Sequence, residues 1–469
     1  MNKYLFFDDN NLFCRDNAIR KYGVPQRIAT YHDGVCSTDW CSGWTFRLDN
    51  GKYRMLYFGE SAAFAGKKLF CATSDDGVHF APEALFEDKT YAHEIMTLRG
   101  GSETAAVYED TLTPKESERY KMLMSEYDGR GLSLTDGIYT SPDLVHWTRV
   151  EDASWGDGTE PLAGVFYNAK KDVYTVCQRP HWGVRCAGFK ETKDWRTFSD
   201  YQHCLNVDAL DEPLCEVYGL PAVYDCGGTY IGLVHMYRGL HSELNAKFHN
   251  GTMDMQLVYS DDGRYWKRSL REPFLTGTSD RNGTAGYPML WTSCVREDAD
   301  GSLLFYSSGS EYEHGPGFRN HGTGRLFVHR LRRDGFISLT TEDKSKSSIV
   351  ALRELAWHSG EAHINLTAKR ATVAVHCTNE SENVGGNVLG LSHPLEGYSH
   401  EDCVAFEGDS TDWVPMWRGG RSLSELAGKT LVLEIRYEQG ELFSLAGDCT
   451  LLFNVPAARF RKCGEIITI

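Results

Sequence analysis

The chain has 469 residues, 41% of them hydrophobic and 24% charged, with a formal net charge of −16. That length suits a large domain with a second one appended, and the hydrophobic content is that of a globular protein. The negative balance argues against nucleic acid as a partner, and no run nears the roughly 20 apolar residues that would cross a bilayer.

The opening Met1-Asn2-Lys3-Tyr4-Leu5-Phe6-Phe7-Asp8-Asp9 has no long apolar segment of the secretory kind, so the expected location is cytoplasmic. Residues 1–30 read as an extension that crosses to a second domain or closes the first. Beyond them the sequence offers strand pairs at 43–48 and 53–58, 105–108 and 120–124, 164–167 and 173–177, 221–224 and 230–235, and 288–291 and 302–306. These runs are β-branched and aromatic, with Gly, Asn and Asp in the turns between them. Helical periodicity is weak throughout.

After each of the first four pairs comes one short pattern: Ser or Thr, any residue, Asp, then an aromatic four places on. It stands as Ser74-Asp75-Asp76-Gly77-Val78-His79-Phe80, as Ser141, Asp143 and Trp147, as Thr192, Asp194 and Phe198, and as Ser260, Asp262 and Trp266. Arg333-Asp334-Gly335-Phe336 reads as a degraded fifth copy. The aspartates recur every 50 to 70 residues or so, a period that marks a repeat architecture. Each Asp is expected to cap a tight outer turn through backbone N–H groups. The reading is all-β: a five-bladed β-propeller over residues 1–339, followed by a C-terminal β-sandwich over 340–469. The boundary is the polar connector at 340–348, and strands at 371–375 and 431–435 belong to the sandwich.

The 14 cysteines are scattered through strand-like runs and are expected to pack as reduced, buried thiols. Cys36 and Cys41 come nearest to a zinc-type pair without matching its spacing, so neither a metal nor another cofactor is expected.

In a propeller, residues just before each first strand and just after each second strand gather around the central depression. Before the first strands stand Asp39 and Trp40, Glu103, Asp157 and Glu160, Glu216 and Tyr218, and Asp280. After the second come Glu60, Glu126 and Asp128, then Arg179, His181 and Trp182, His235 to Arg238, Ser308 to Glu313, and His314. Carboxylates with Trp, Tyr, His and Arg between them make the composition of a sugar site. Glycosidic cleavage needs one protonated carboxyl to assist the leaving oxygen and a second, ionised one to attack or to activate water. Asp39 is read as base or nucleophile and Glu216 as general acid, with Glu103 tuning or binding and Glu160 competing for the acid role. Trp40, Arg179, Trp182, Arg185, Tyr218, His235 and His314 are read as substrate-binding, although His235 at a strand end also reads as a satisfied core histidine. The partner is then a carbohydrate, and a homo-oligomer is compatible with the sequence.

The whole plan resembles the five-bladed propeller glycosidases of glycoside hydrolase families 32 and 43. Ser260-Asp261-Asp262-Gly263-Arg264-Tyr265-Trp266 and Ser141-Pro142-Asp143-Leu144-Val145-His146-Trp147 are similar to those families' outer-strand repeats. It also resembles family-32-like bacterial proteins through Tyr218-Gly219-Leu220-Pro221 and Arg332-Arg333-Asp334-Gly335-Phe336. Where family 32 places Pro after its Asp, this chain has Trp40 after Asp39, and Cys215-Glu216 reverses the family's Glu-Cys order. The resemblance implies a glycoside hydrolase acting on a terminal, furanoside-like sugar of a short oligosaccharide. A phosphate-dependent phosphorylase, with Arg179, Arg185, His235 and Arg238 holding the anion, and a non-catalytic carbohydrate-binding propeller are the alternatives.

Overall fold

The computed structural model describes residues 1–36, 43–60, 67–98, 103–127, 134–155, 164–180, 185–239, 251–314, 324–377 and 394–452. Its regular structure is β throughout: among these residues helix occurs only as short 3-10 turns such as Glu116–Glu118 and Leu423–Leu426. Two compact units form. The larger holds Val24–Asp225 and Thr229–Arg332, and the smaller holds Met1–Gly23, Cys226–Gly228 and Arg333–Ile469.

Four sheets build the larger unit, and the seven-stranded one divides at a single parallel pair, Met253 with Met289, so that the strands fall into five antiparallel groups, here modules one to five. Module one comprises Gly43–Arg47, Tyr53–Gly59, Lys68–Ser74 and Ala81–Pro82, and module two Glu103–Glu109, Tyr120–Tyr127, Leu134–Ser141 and Thr148–Arg149. Module three is Gly164–Asn168, Val173–Gln178, Ala187–Thr192 and Gln202–Leu205. Module four contains Cys215–Asp225, Tyr230–Gly239 and Gly251–Ser260, with Lys267 bridged to Tyr259 at its outer edge. Module five contains Met289–Glu297, Leu303–Ser310 and Arg325–Leu331. Its fourth strand is Gln26–Tyr31, which reaches it from the N-terminal end of the chain.

The first strands of the modules approach one another in chain order, and that of module five returns to that of module one. They enclose a cavity of about 380 Å³ that all five line, with Trp44, Tyr108, Phe166, Val223 and Val295 among its walls. Apolar layers join neighbouring modules. Trp44, Phe46 and Leu56 of module one pack with Val107 and Met122 of module two, and Phe166 and Phe189 of module three pack with Val217 and Met236 of module four. Burial of these aromatic and branched side chains is what holds flat sheets face to face.

The four Ser/Thr-x-Asp motifs sit where their turn chemistry requires, just past the end of each third strand. Asp76 accepts the N–H groups of Val78 and His79 at 2.8 Å each, and Asp143 those of Val145 and His146 at 2.9 and 2.8 Å. Asp194 and Asp262 make the same pair of bonds. Partial burial pushes the Asp143 carboxyl up, but the donors facing it outweigh that and hold it down at about 2. The expected fifth copy is no such turn. Asp334 belongs to the smaller unit, where it accepts from Lys3 Nζ at 2.7 Å and Ser444 Oγ at 2.8 Å. Module five has no outer hairpin to cap, because its fourth strand comes from residues 26–31.

The smaller unit is one connected sheet of nine strands. Leu355–Cys377, 23 residues long, pairs antiparallel with Glu441–Leu451 through its first half, and through its second it runs against Thr430–Glu438, with Arg370 opposite Glu438 and Cys377 opposite Leu431. Trp357, Ile364, Val373, Leu433 and Leu445 share its apolar core. Asn2–Leu5, Leu12–Asp16 and Ala18–Tyr22 add strands from the N-terminal segment. Residues 1–30 therefore serve both units. On Thr430–Glu438, Glu434 meets His376 Nε2 and His400 Nε2 at 3.1 Å each. The bonds from His376 and then His400 hold its carboxyl far below the usual range, against its burial.

Two outcomes follow. Asp262→Ala strips two turn N–H groups of their acceptor and should cost about 1–2 kcal/mol in urea unfolding. Glu434→Gln should destabilise the protein by roughly 1–3 kcal/mol at neutral pH. Because the folded-state value of Glu434 is depressed, its contribution is complete above the unfolded value of about 4.3 and fades as pH falls below it. Denaturation curves at pH 7 and pH 3 should show the two proteins converging in acid.

Candidate functional site

Glu216 and Tyr218 lie at the start of module four's first strand, where the ladder slips between Val217 and Gly219 and again before Ala222. Such bulges re-aim side chains at a sheet's rim. Arg185, just ahead of module three's third strand, donates through Nη1 to Glu216 Oε2. Its guanidinium lies 5.1 Å from the Tyr218 ring centre and 5.4 Å from that of Tyr237, and Arg179 lies 4.4 Å from Tyr218. The two tyrosine rings are 6.0 Å apart, and His314, beyond module five's second strand, packs edge-on 5.4 Å from Tyr237 and 6.1 Å from Tyr218. Three modules thus supply one patch of two cations, a carboxylate and three rings.

The backbone fixes this arrangement. His314 N–H donates to Gly251 C=O at 2.9 Å. A Cβ at Gly251 would come within 2.6 Å of the Tyr237 hydroxyl oxygen and 2.5 Å of Arg238 C=O, so only glycine lets Tyr237 seat there. Burial pulls the Arg185 guanidinium down, yet Tyr218 and Glu216 outweigh it and hold the group above its ordinary value. Burial, with Arg185 opposing and Glu216 reinforcing, pushes the Tyr237 phenol up to about 12. A patch of this kind presents guanidinium N–H donors, a carboxylate acceptor and flat aromatic faces, which together suit a hydroxyl-rich ring.

Of the residues singled out from the sequence, Arg179, Arg185, Glu216, Tyr218 and His314 come together. His235 does not join them. Its ring is fully buried, with neither nitrogen hydrogen-bonded, and burial lowers it to about 3. It is a neutral, fully buried histidine. Asp39, Trp40, Glu160 and Trp182 lie outside the described residues, as do Asp157, Asp128 and His181. Glu103 opens the first strand of module two, opposite Ser125, and its side chain is outside the described part. Glu60 pairs with Lys68 at 3.2 Å.

Tyr237 stands in the run from His235 to Arg238 that the sequence places at the depression, yet it carries no assigned role there, because an aromatic within a strand looks like core; only the alternation that puts it on Glu216's side of the sheet sets it apart. Behind it, Arg238 is held by Asp254 and by Glu212 at 2.9 Å. Asp254 is 4% exposed, and burial raises its carboxyl to about 6 against the pull of Arg238. Among the described residues no group of three or more His, Cys, Asp or Glu could hold a metal ion. All the described cysteines are free thiols, buried except for Cys14.

No protein-family model and no curated protein matches the chain. Among solved structures it is similar to a glycosyl hydrolase from Bacteroides ovatus, with TM-score 0.44 and 14% identity over 66% of this chain and 94% of that one. It is similar as well to an endo-1,4-beta-xylanase from Bacteroides thetaiotaomicron, at TM-score 0.42 and 15% identity over 62% and 92%. A thermostable family-43 glycoside hydrolase gives TM-score 0.43 and 12% identity over 68% and 95%.

Asp254 gives a pH signature. Its folded value of about 6 lies above the unfolded value of about 3.9, so the folded state binds the extra proton and stability falls as pH rises between the two. Asp254→Asn should remove that slope, which urea unfolding at half-unit pH steps from 4 to 6.5 would reveal.

Proposed function

We propose that the larger unit is a five-bladed β-propeller and that it is a glycoside hydrolase, removing a terminal sugar from a short oligosaccharide or glycoside. The observation that carries this reading is the closed cycle of first strands, since it lets residues near Arg179, Glu216 and His314, far apart in sequence, share one mouth. In the sequence Asp39 stands four positions before module one's first strand, while Glu103 opens module two's and Glu216 is second in module four's. In this reading Asp39 is base or nucleophile. Glu216, read from the sequence as the general acid, is held by Arg185, which favours Glu103 or Glu160 over it as the proton donor. Trp40, Trp182, Tyr218 and His314 stack on or bind the sugar. The smaller unit is read as a β-sandwich, and the buried free thiols fit a reducing, cytoplasmic setting.

Hydrolysis is preferred to phosphorolysis because three of the four groups weighed for the anion, all but Arg179, are engaged or hidden. Arg185 pairs with Glu216, Arg238 with Asp254 and Glu212, and His235 is buried and neutral.

The test is a panel of p-nitrophenyl glycosides, furanosides included, assayed with and without phosphate. Asp39→Asn, Glu103→Gln and Glu216→Gln should each lower turnover by roughly 10²-fold or more while remaining folded. Full activity in all three variants would remove the carboxylate mechanism. Turnover only with phosphate would make the protein a phosphorylase, and binding without turnover a carbohydrate-binding propeller.

A further inference from the structure

The smaller unit carries a polar cluster that has no part in the site described above. Thr372 stands opposite Arg436 in the ladder between Leu355–Cys377 and Thr430–Glu438, and Ala374 stands opposite Glu434. Val373, Val375, Leu433 and Ile435 belong to the apolar core. Alternation along each strand therefore sends Thr372, His376, Glu434 and Arg436 to the other face of the sheet. His400, from the chain beyond the first of these strands, reaches that face and bonds to two of them.

Thr372 Oγ1 lies 2.9 Å from His400 Nδ1, and His400 Nε2 lies 3.1 Å from Glu434 Oε1. On its other oxygen Glu434 meets His376 Nε2 at 3.1 Å. An ionised carboxylate only accepts, so His400 carries its proton on Nε2 and turns the bare lone pair of Nδ1 toward the threonine hydroxyl. Hydroxyl, imidazole and carboxylate thus stand in the order that activates an alcohol as a nucleophile: the base faces the hydroxyl, and the acid orients the base. A pocket of about 230 Å³ lies beside them, with Thr372, His400, Arg370 and Arg436 in its lining. Arg436 Nε–H has no acceptor among the described residues. An unspent donor next to Thr372 is what a tetrahedral intermediate needs for its negative oxygen.

We propose that Thr372, His400 and Glu434 form a second catalytic site, one that hydrolyses esters of short-chain carboxylic acids. Thr372 Oγ adds to the ester carbonyl carbon while His400 Nδ1 takes the hydroxyl proton. The bond from that carbon to the alcohol oxygen then breaks, and His400 gives the proton to the departing alcohol. Water, losing a proton to the same nitrogen, attacks the acyl group on Thr372. The carboxylic acid leaves, and Thr372 Oγ recovers its proton from His400. The small pocket sets the substrate class, since it has room for a short acyl group and not for a long chain. The inference does not rest on the glycoside hydrolase reading, because all its residues lie in the smaller unit.

The experiment uses the full chain, the p-nitrophenyl esters of acetate, butyrate and octanoate, and a fluorophosphonate that labels activated hydroxyls. The wild type should turn over the two shorter esters roughly tenfold or more faster than the octanoate. Mass spectrometry of its peptides should find the label on Thr372. Thr372→Val keeps the shape of the side chain without its hydroxyl, and should lose the label and lower kcat/KM roughly 10²-fold or more. Thr372→Ser should keep both label and turnover. A label only on other residues, or none at all, would overturn the site whatever the variants do. So would equal turnover by the wild type and a folded Thr372→Val, which would leave the three bonds as a tie between His400 and the sheet. Faster turnover of the octanoate would overturn the short-chain assignment.

Discussion

Residues 26–31 pair with residues 325–331, and the larger unit's ring depends on that ladder. The two segments are separated by nearly the whole unit, so the hydrogen bonds between them close a loop whose entropy the intervening four modules must offset. Without the strand from residues 26–31, Arg325–Leu331 would be an exposed edge with its N–H and C=O groups unpaired. With it, the first strand of module five stays beside that of module one, and the five first strands enclose a common cavity. Every side chain in the candidate site sits near one end of a first, second or third strand of modules three, four and five. Their meeting follows from these consecutive modules packing side by side and not from any local motif.

Inside that frame, carboxylates of the same chemical type behave in opposite ways. Asp143 and Asp262 are partly buried, yet two backbone N–H groups hold each of them low. Asp254 is more deeply buried and has one guanidinium, and burial wins. Glu434 has two imidazoles and goes the other way again. What decides each case is the number and aim of donors set against the cost of leaving water. The Arg185–Glu216 pair is partly exposed, and its guanidinium lies against two phenol rings.

Much of the larger unit could be read from the amino acids. The Ser/Thr-x-Asp spacing located the hairpin between third and fourth strands in four modules, because an Asp that caps its own turn is a local device and leaves a local mark. The fifth copy misled for the same reason. Asp334 has the sequence context of a cap, but its partners Lys3 and Ser444 lie 331 and 110 residues away, and nothing near it records them. Strand ends flagged Arg179, Arg185, Glu216, Tyr218 and His314 as neighbours. His235 satisfied the same rule and failed it in space, since a strand's end says where a residue lies along the sheet and not how much packs over it. Tyr237 stood among the strand-end residues without a role and Asp254 went unseen, because aromatic and polar residues inside strands take their meaning from the facing module.

The two chain ends show the same limit at larger scale. The smaller unit draws strands from Asn2–Leu5, Leu12–Asp16 and Ala18–Tyr22 as well as from everything after Arg333. A composition change near residue 340 marks only the last crossing between units, while the first, at Gly23 and Val24, carries no break in polarity that would announce it. Contacts this distant in sequence are slow to form and cannot pay back their ordering cost until both partners exist. The N-terminal 31 residues thus stay without their strand partners until the segments beyond residue 325 have been made, and the candidate site can take shape only after that.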